Sequence, residues 1–255
     1  MHIEPFQLWI DIIEEYTDRR LTHYSDRLVA VAALANQLAR AFYQMGKYVS
    51  GLFQVSLPLH LLWSRKASTL AKCRPARPVA PSWSWASIDE AVEWVAPAWG
   101  ADSADIRDYT IHEAAKISIE SERGDRLGLT LGLELTLFTP TLPTLVAEGA
   151  VLKYGQCLLT VVQLSTRKSV EICFTPDVCL VELIKDDDLH VTRAKLTVFH
   201  ARDSKSGDRE PTFCSSLVLL QQMTSPITYI RIGISKGDLP ASWYDGLPDQ
   251  EITVV

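Results

Sequence analysis

Leu127-Gly128-Leu129-Thr130-Leu131-Gly132-Leu133-Glu134-Leu135-Thr136-Leu137 places leucine at every second position, with small or polar residues between. Side chains alternate between the two faces of a strand, so this period lines one face with leucine and requires a core beneath it. Further strand-like runs lie around it at 116–120, 151–163, 170–174, 178–184, 195–200, 213–222 and 227–234. Polar turns such as Asp186-Asp187-Asp188 and 202–211 punctuate them. Short strands separated in this way predict a largely antiparallel β sandwich or barrel. Strands and helices do not alternate along the chain, which argues against a doubly wound α/β fold.

Upstream the period is helical. Phe6, Trp9, Ile10, Ile13 and Tyr16 recur at three- and four-residue spacing, with Glu14, Glu15 and Asp18 on the opposite side. This predicts a first helix over 6–17 that ends near Arg20. Ser25 or Asp26 is placed to cap a second helix, whose stripe of Leu28, Val31, Ala32, Ala35, Leu38 and Phe42 runs toward Gly46. A turn and a short third helix are expected over 48–63, broken by Pro58. The chain therefore reads as α+β: an N-terminal helical layer of two to three helices in residues 1–66, a connector over 67–80, and a β-rich segment over 81–255 packed on the helices. From Ser64 to Ala80 there is no acidic residue, whereas Arg65, Lys66, Lys72, Arg74 and Arg77 are basic, so this stretch is expected to be exposed.

A chain of 255 residues is long enough for a substantial core, and its 47% hydrophobic and 22% charged residues are ordinary for a globular protein. A net charge of −6 argues against a general nucleic-acid binder. The five cysteines are an odd set at scattered spacings, as expected of reduced thiols in a cytoplasmic protein. The apolar stretch Leu28 to Phe42 is interrupted by Asn36, Gln37 and Arg40, so no membrane span is expected.

Catalytic and metal motifs are weak. No Gly-x-Ser-x-Gly elbow occurs, and Cys173, Cys179, His190, His200 and Cys214 lack the paired short spacings of a zinc site. Consecutive aspartates at 186–188 lack the alternating ligands of a calcium loop. Gly128 and Gly132 alternate with leucine and precede no Gly-Lys-Ser/Thr. No catalytic residue, metal or cofactor is expected. An independent hydrolase would have to use Cys214 or Ser82 with His200 or His60, and a carbohydrate-binding β module would have to expose Trp83 and Trp85.

The most distinctive segment is Pro81-Ser82-Trp83-Ser84-Trp85-Ala86-Ser87. Read as a strand, it projects both tryptophans to one side, and burial in a packed core is expected of them. Upstream lie Trp9, Tyr16, Leu21-Thr22, Asp26-Arg27-Leu28, Gly51-Leu52-Phe53 and Trp63. In order and spacing these residues resemble the region that follows the heterokaryon-incompatibility (HET) core in HET-domain proteins of filamentous fungi. The resemblance covers residues 6–87 and continues faintly at 217–234, through Leu217-Val218-Leu219-Leu220 and Tyr229-Ile230-Arg231-Ile232-Gly233. Phe53 stands where the family usually has tryptophan. The motifs of the HET core itself do not occur, although Leu8-Trp9-Ile10-Asp11-Ile12-Ile13 begins like one of them. The resemblance implies a non-catalytic accessory or interaction region tied to nonself recognition and programmed cell death, with a full-length HET-domain relative or another protein as partner; charge and composition argue for no nucleic acid and no membrane. It also marks Trp9, Tyr16, Leu21, Thr22, Asp26, Arg27, Leu28, Gly51, Leu52, Trp63, Pro81, Ser82, Trp83, Ser84 and Trp85 as signature residues with a structural role. Asp26 is expected to cap a helix, and Arg27 could reach a carboxylate or carbonyl across the helix–sheet boundary.

Overall fold

The computed structural model describes residues 5–19, 23–57, 59–66, 74–94, 110–113, 116–119, 133–146, 157–163, 168–177, 190–200 and 213–255. Two α-helices lead these residues, α1 (Pro5–Asp18) and α2 (Arg27–Ala41). Both follow the apolar stripes of the sequence: Trp9 and Ile13 of α1, and Leu28, Val31, Ala32, Ala35 and Leu38 of α2, are buried. Asp26 precedes α2 but makes no side-chain cap; its carboxylate accepts a hydrogen bond from Ser25 Oγ instead.

The third helix expected over 48–63 is replaced by a hairpin. Strands β1 (Tyr48–Val49) and β2 (Leu52–Phe53) are joined by Ser50-Gly51, both at positive φ, 43° and 94°. That geometry matches the twist of the flanking strands, which is why a two-residue turn wins over helix here. Single 3-10 turns follow at Gln54–Ser56 and Leu59–Leu61. Strand β3 (Trp63–Arg65) then pairs antiparallel with β4 (Val92–Trp94).

Among the described residues, the larger sheet contains nine strands: β5 (Thr110–Glu113), β6 (Lys116–Ile119), β7 (Leu135–Val146), β8 (Cys157–Gln163), β9 (Lys168–Pro176), β10 (Val191–His200), β11 (Phe213–Gln222), β12 (Thr228–Pro240) and β13 (Asp249–Val254). It closes into a five-stranded barrel in the order β13-β7-β10-β11-β12 and back to β13. The sheet is mixed rather than purely antiparallel, because the closing contact of β12 with β13, at Tyr229 and Val254, is parallel.

Strand β7 is the junction. Its first half pairs with β13 and β6, and its second half with β10 and β8. The leucine alternation survives where it is described: Leu133, Leu135 and Leu137 are buried, while Glu134 and Phe138 are exposed. The first part of that run, with Gly128 and Gly132, lies outside the described residues, as do the strand expected at 178–184, the Asp186–Asp188 turn and the 202–211 turn. The runs at 116–120, 151–163, 170–174, 195–200, 213–222 and 227–234 correspond to β6, β8, β9, β10, β11 and β12.

Gly233 sits where β12 meets β9. A Cβ there would lie 2.5 Å from the Thr175 carbonyl oxygen and 2.8 Å from the Phe174 ring. Backbone cannot yield as a flexible side chain does. Gly233→Ala is therefore expected to lower the unfolding free energy by about 1–3 kcal/mol, read as a lower urea midpoint. An unchanged midpoint would mean that the two strands can part without loss.

Candidate functional site

Among the described residues, Trp9, Tyr16, Arg27, Gly51, Trp63 and Ser82 to Trp85 come together where the helices, the hairpin and the barrel meet. Pro81 to Ser87 do not form a strand; they make a turn followed by a 3-10 helix over Trp85–Ser87. The reason lies in the serines, which bond to backbone rather than leave the backbone free to pair. Ser84 Oγ caps this 3-10 turn by accepting from the Ala86 N–H and donates to the Ser50 carbonyl at 2.6 Å. Ser87 Oγ donates to the Ser82 carbonyl at 3.2 Å. Ser82 Oγ donates to the Val255 carbonyl and accepts from the Arg231 N–H at 3.0 Å, so it ties the heptapeptide to β12 and to the end of β13. Short hydroxyl side chains compete with strand pairing in this way.

Trp9, Trp63, Trp83 and Trp85 are all fully buried. Each indole N–H has a carbonyl partner. Trp9 and Trp85 both donate to Gly51, at 3.1 and 2.8 Å; Trp63 donates to Trp83 at 3.0 Å, and Trp83 to Leu133 at 3.2 Å. Gly51 has no room for a side chain, since a Cβ would lie 2.5 Å from Trp85 Nε1. Phe53 meets Trp9 edge-on at 5.3 Å. Two buried indoles offer no face to a sugar, so the exposed aromatic platform of a carbohydrate module is absent at Trp83 and Trp85.

Tyr16 donates to the Arg27 carbonyl at 3.0 Å and packs edge-on against Trp85. Arg27, itself buried, lies over the Trp85 ring at 5.4 Å, donates to the Glu90 carbonyl at 2.5 Å and faces Asp89 at 3.7 Å. It thus reaches a carbonyl and a carboxylate, but these lie in the bend at 88–90 just beyond the heptapeptide rather than on a strand across the helix–sheet boundary. Leu28 and Leu52 are buried core residues. Leu21 and Thr22 lie outside the described residues.

Sequence reasoning missed the charged centre of this junction. Arg231 and Asp177 are both fully shielded from solvent, 2.7 Å apart. The Arg231 guanidinium also donates to the carbonyls of Leu61, at 2.7 Å, and Trp63, at 2.5 Å, and stacks on the Trp63 ring at 3.6 Å. Arg65 is buried as well, bonded to the Pro176 carbonyl and paired with Glu90 at 3.3 Å. Arg74 donates to the Arg231 carbonyl. The stretch expected to be an exposed basic connector therefore sends two arginines inward, because buried carbonyls and carboxylates need donors that remain charged. Lys66 is partly exposed and meets Asp18 at 2.8 Å, and residues 67–73 lie outside the described residues.

The groups a hydrolase would need are placed apart in character. Ser82 is held by backbone partners, and Cys214 is a buried free thiol that donates to the Leu239 carbonyl at 3.4 Å. Burial pushes that thiol up, with Arg193, Ser216 and Lys195 opposing. His60 is buried between Phe6 and Trp94, and neither of its ring nitrogens has a hydrogen-bond partner. The side chain of His200 lies outside the described residues. Among the described residues, no group of three or more His, Cys, Asp or Glu side chains is placed to hold a metal.

Burial holds the His60 imidazole down to about 3, so it is neutral in the folded protein and protonated more readily after unfolding. The folded value is depressed below the unfolded one near 6.5; stability is therefore complete above about pH 6.5 and falls as the pH drops toward 3. From pH 6.5 to 5 the loss from this group is roughly 2 kcal/mol. Urea unfolding at the two pH values should show that loss, and His60→Phe should remove this part of it. An identical pH slope in the variant would assign the acid sensitivity to other groups.

No family model, curated protein or solved structure matches the chain. Among the described residues, no helix is long and apolar enough to cross a membrane.

Proposed function

We propose that this chain is a non-catalytic accessory and interaction region of a HET-like protein, acting in the cytoplasm in nonself recognition and the cell death that follows it. The observation that supports this reading is the use made of the signature. Its tryptophans, serines and arginine are consumed in holding the helices, the Ser50-Gly51 hairpin and the barrel together, with their polar atoms on backbone carbonyls and amides. A motif spent on architecture gives a rigid support rather than a reactive centre. The partner on this reading is a full-length HET-domain relative.

The test is expression of the chain alone, and alongside a full-length HET-domain protein, in a filamentous fungus. Growth is expected to be unaffected by the chain alone, and the chain is expected to co-purify with the HET-domain protein and change the onset of death. Death caused by the chain alone would make it an effector. Failure to bind, together with an unchanged death response, would remove the accessory role.

A further inference from the structure

On β10 and β11, Lys195 pairs with Ser216, and Ser216 in turn pairs with Ser235 of β12. Directly paired residues share a face of a sheet, and Arg193, two positions before Lys195, falls on the same face. Tyr244, on the 3-10 turn Ala241–Tyr244, reaches this row through a 2.8 Å hydrogen bond between its hydroxyl and Ser216 Oγ. Lys195 Nζ lies over the Tyr244 ring at 5.4 Å. Arg193, Ser216 and Ser235 are completely buried and Tyr244 is nearly so.

Arg193 uses only part of its guanidinium. Nη2 donates to Ser235 Oγ at 2.7 Å, while Nε and Nη1 are buried with no hydrogen-bond partner. Neither Arg193 nor Lys195 is ion-paired among the described residues. The Arg231 site shows what the same fold does with a buried guanidinium whose partners are internal: a carboxylate and two carbonyls occupy its donors. An arginine cannot discard its charge, and leaving it desolvated and unpaired is strongly unfavourable. Two cations, with the Ser235 hydroxyl and one of the Ser216–Tyr244 pair left to donate and no ion-paired carboxylate among the described residues, match a doubly charged oxyanion better than a single carboxylate.

We infer that Arg193 and Lys195, with Ser216, Ser235 and Tyr244, form a binding site for a phosphate group, either the free ion or the phosphate of a small molecule. Guanidinium donors and hydroxyls on one side, with an ammonium nearby, are the usual complement of that group. The Tyr244 hydroxyl is protonated at neutral pH, as phenols ordinarily are, and burial pushes it further up, to about 12. The site is separate from the signature cluster and does not depend on the accessory role proposed above.

The test uses the full chain and inorganic phosphate at about 0.1–10 mM against chloride at matched ionic strength, a range in which general salt exclusion is small. Expected are a thermal midpoint that rises with phosphate and a broadened phosphorus resonance of the added ion. Arg193→Met should abolish both, and Lys195→Met should weaken the apparent affinity at least tenfold. Lys195 is only half-buried, so its variant keeps the comparison available if Arg193→Met does not fold. Glycerol phosphate separates the sources: activity of inorganic phosphate alone assigns the free ion, and activity of both assigns an organic phosphate. A midpoint equal in phosphate and chloride with a sharp phosphorus line, or equal stabilisation by acetate, would overturn the assignment.

Discussion

Arg231→Met is expected to lower the unfolding free energy by about 3–5 kcal/mol, because it leaves Asp177 as an unpaired buried carboxylate. The same change removes the donors to the Leu61 and Trp63 carbonyls and the cation from the Trp63 ring. A whole domain is commonly stable by only about 5–15 kcal/mol, so a loss of this size should be visible as partial unfolding at moderate temperature. The double variant Arg231→Met with Asp177→Leu should recover part of the loss, since it removes the orphaned charge while the carbonyls stay unpaired. Urea unfolding of the wild type, both single variants and the double variant gives the coupling directly. Equal stability of the single and double variants would mean that water or a neighbouring arginine satisfies Asp177, and that the pair itself contributes little.

Trp85→Ala should be comparably severe, at about 3–5 kcal/mol, because it empties one of the heptapeptide's two tryptophans from a fully buried position. Three contacts go with it: the bond to the Gly51 carbonyl, the edge-on packing of Tyr16 and the stack of Arg27. Trp85→Phe separates them. It keeps a ring for Tyr16 and Arg27 but removes the N–H, and the Gly51 carbonyl retains Trp9 as a donor. A loss of about 1–2 kcal/mol is therefore expected for phenylalanine. If the two variants lost the same amount, the hydrogen bond to the hairpin, rather than packing volume, would be the dominant contribution of Trp85.

Helices and strands differ in how openly the sequence declares them here. Helix α1 and helix α2 each have one buried stripe and one solvated side, so their period is visible. The same holds for the end of the leucine run, where Glu134 faces outward between Leu133 and Leu135, and Phe138 between Leu137 and Thr139. Strand β11 is buried on both faces from Cys214 to Leu220, and a strand covered on both sides loses its alternation. The burial of Arg231 is illegible in sequence for the same reason. In Tyr229-Ile230-Arg231-Ile232-Gly233 an arginine between isoleucines reads as the solvent side of a strand, yet β3 and the heptapeptide cover that side as well. The signature cluster was legible as a set of residues but not as a geometry. Ser82, Ser84 and Ser87 look inert in sequence, and only their backbone partners at Val255, Ser50 and Ser82 explain why small hydroxyl residues alternate with tryptophan.

By itself the sequence determined an α+β order, two helices with defined inner faces and several strands, because these follow from local period and side-chain size. Barrel closure, the parallel contact of β13 with β12, the buried Arg231–Asp177 pair and the unsatisfied Arg193 were decided only in three dimensions. Each depends on partners far apart in the chain, and no local pattern records which distant carbonyl, carboxylate or strand edge will meet a given donor.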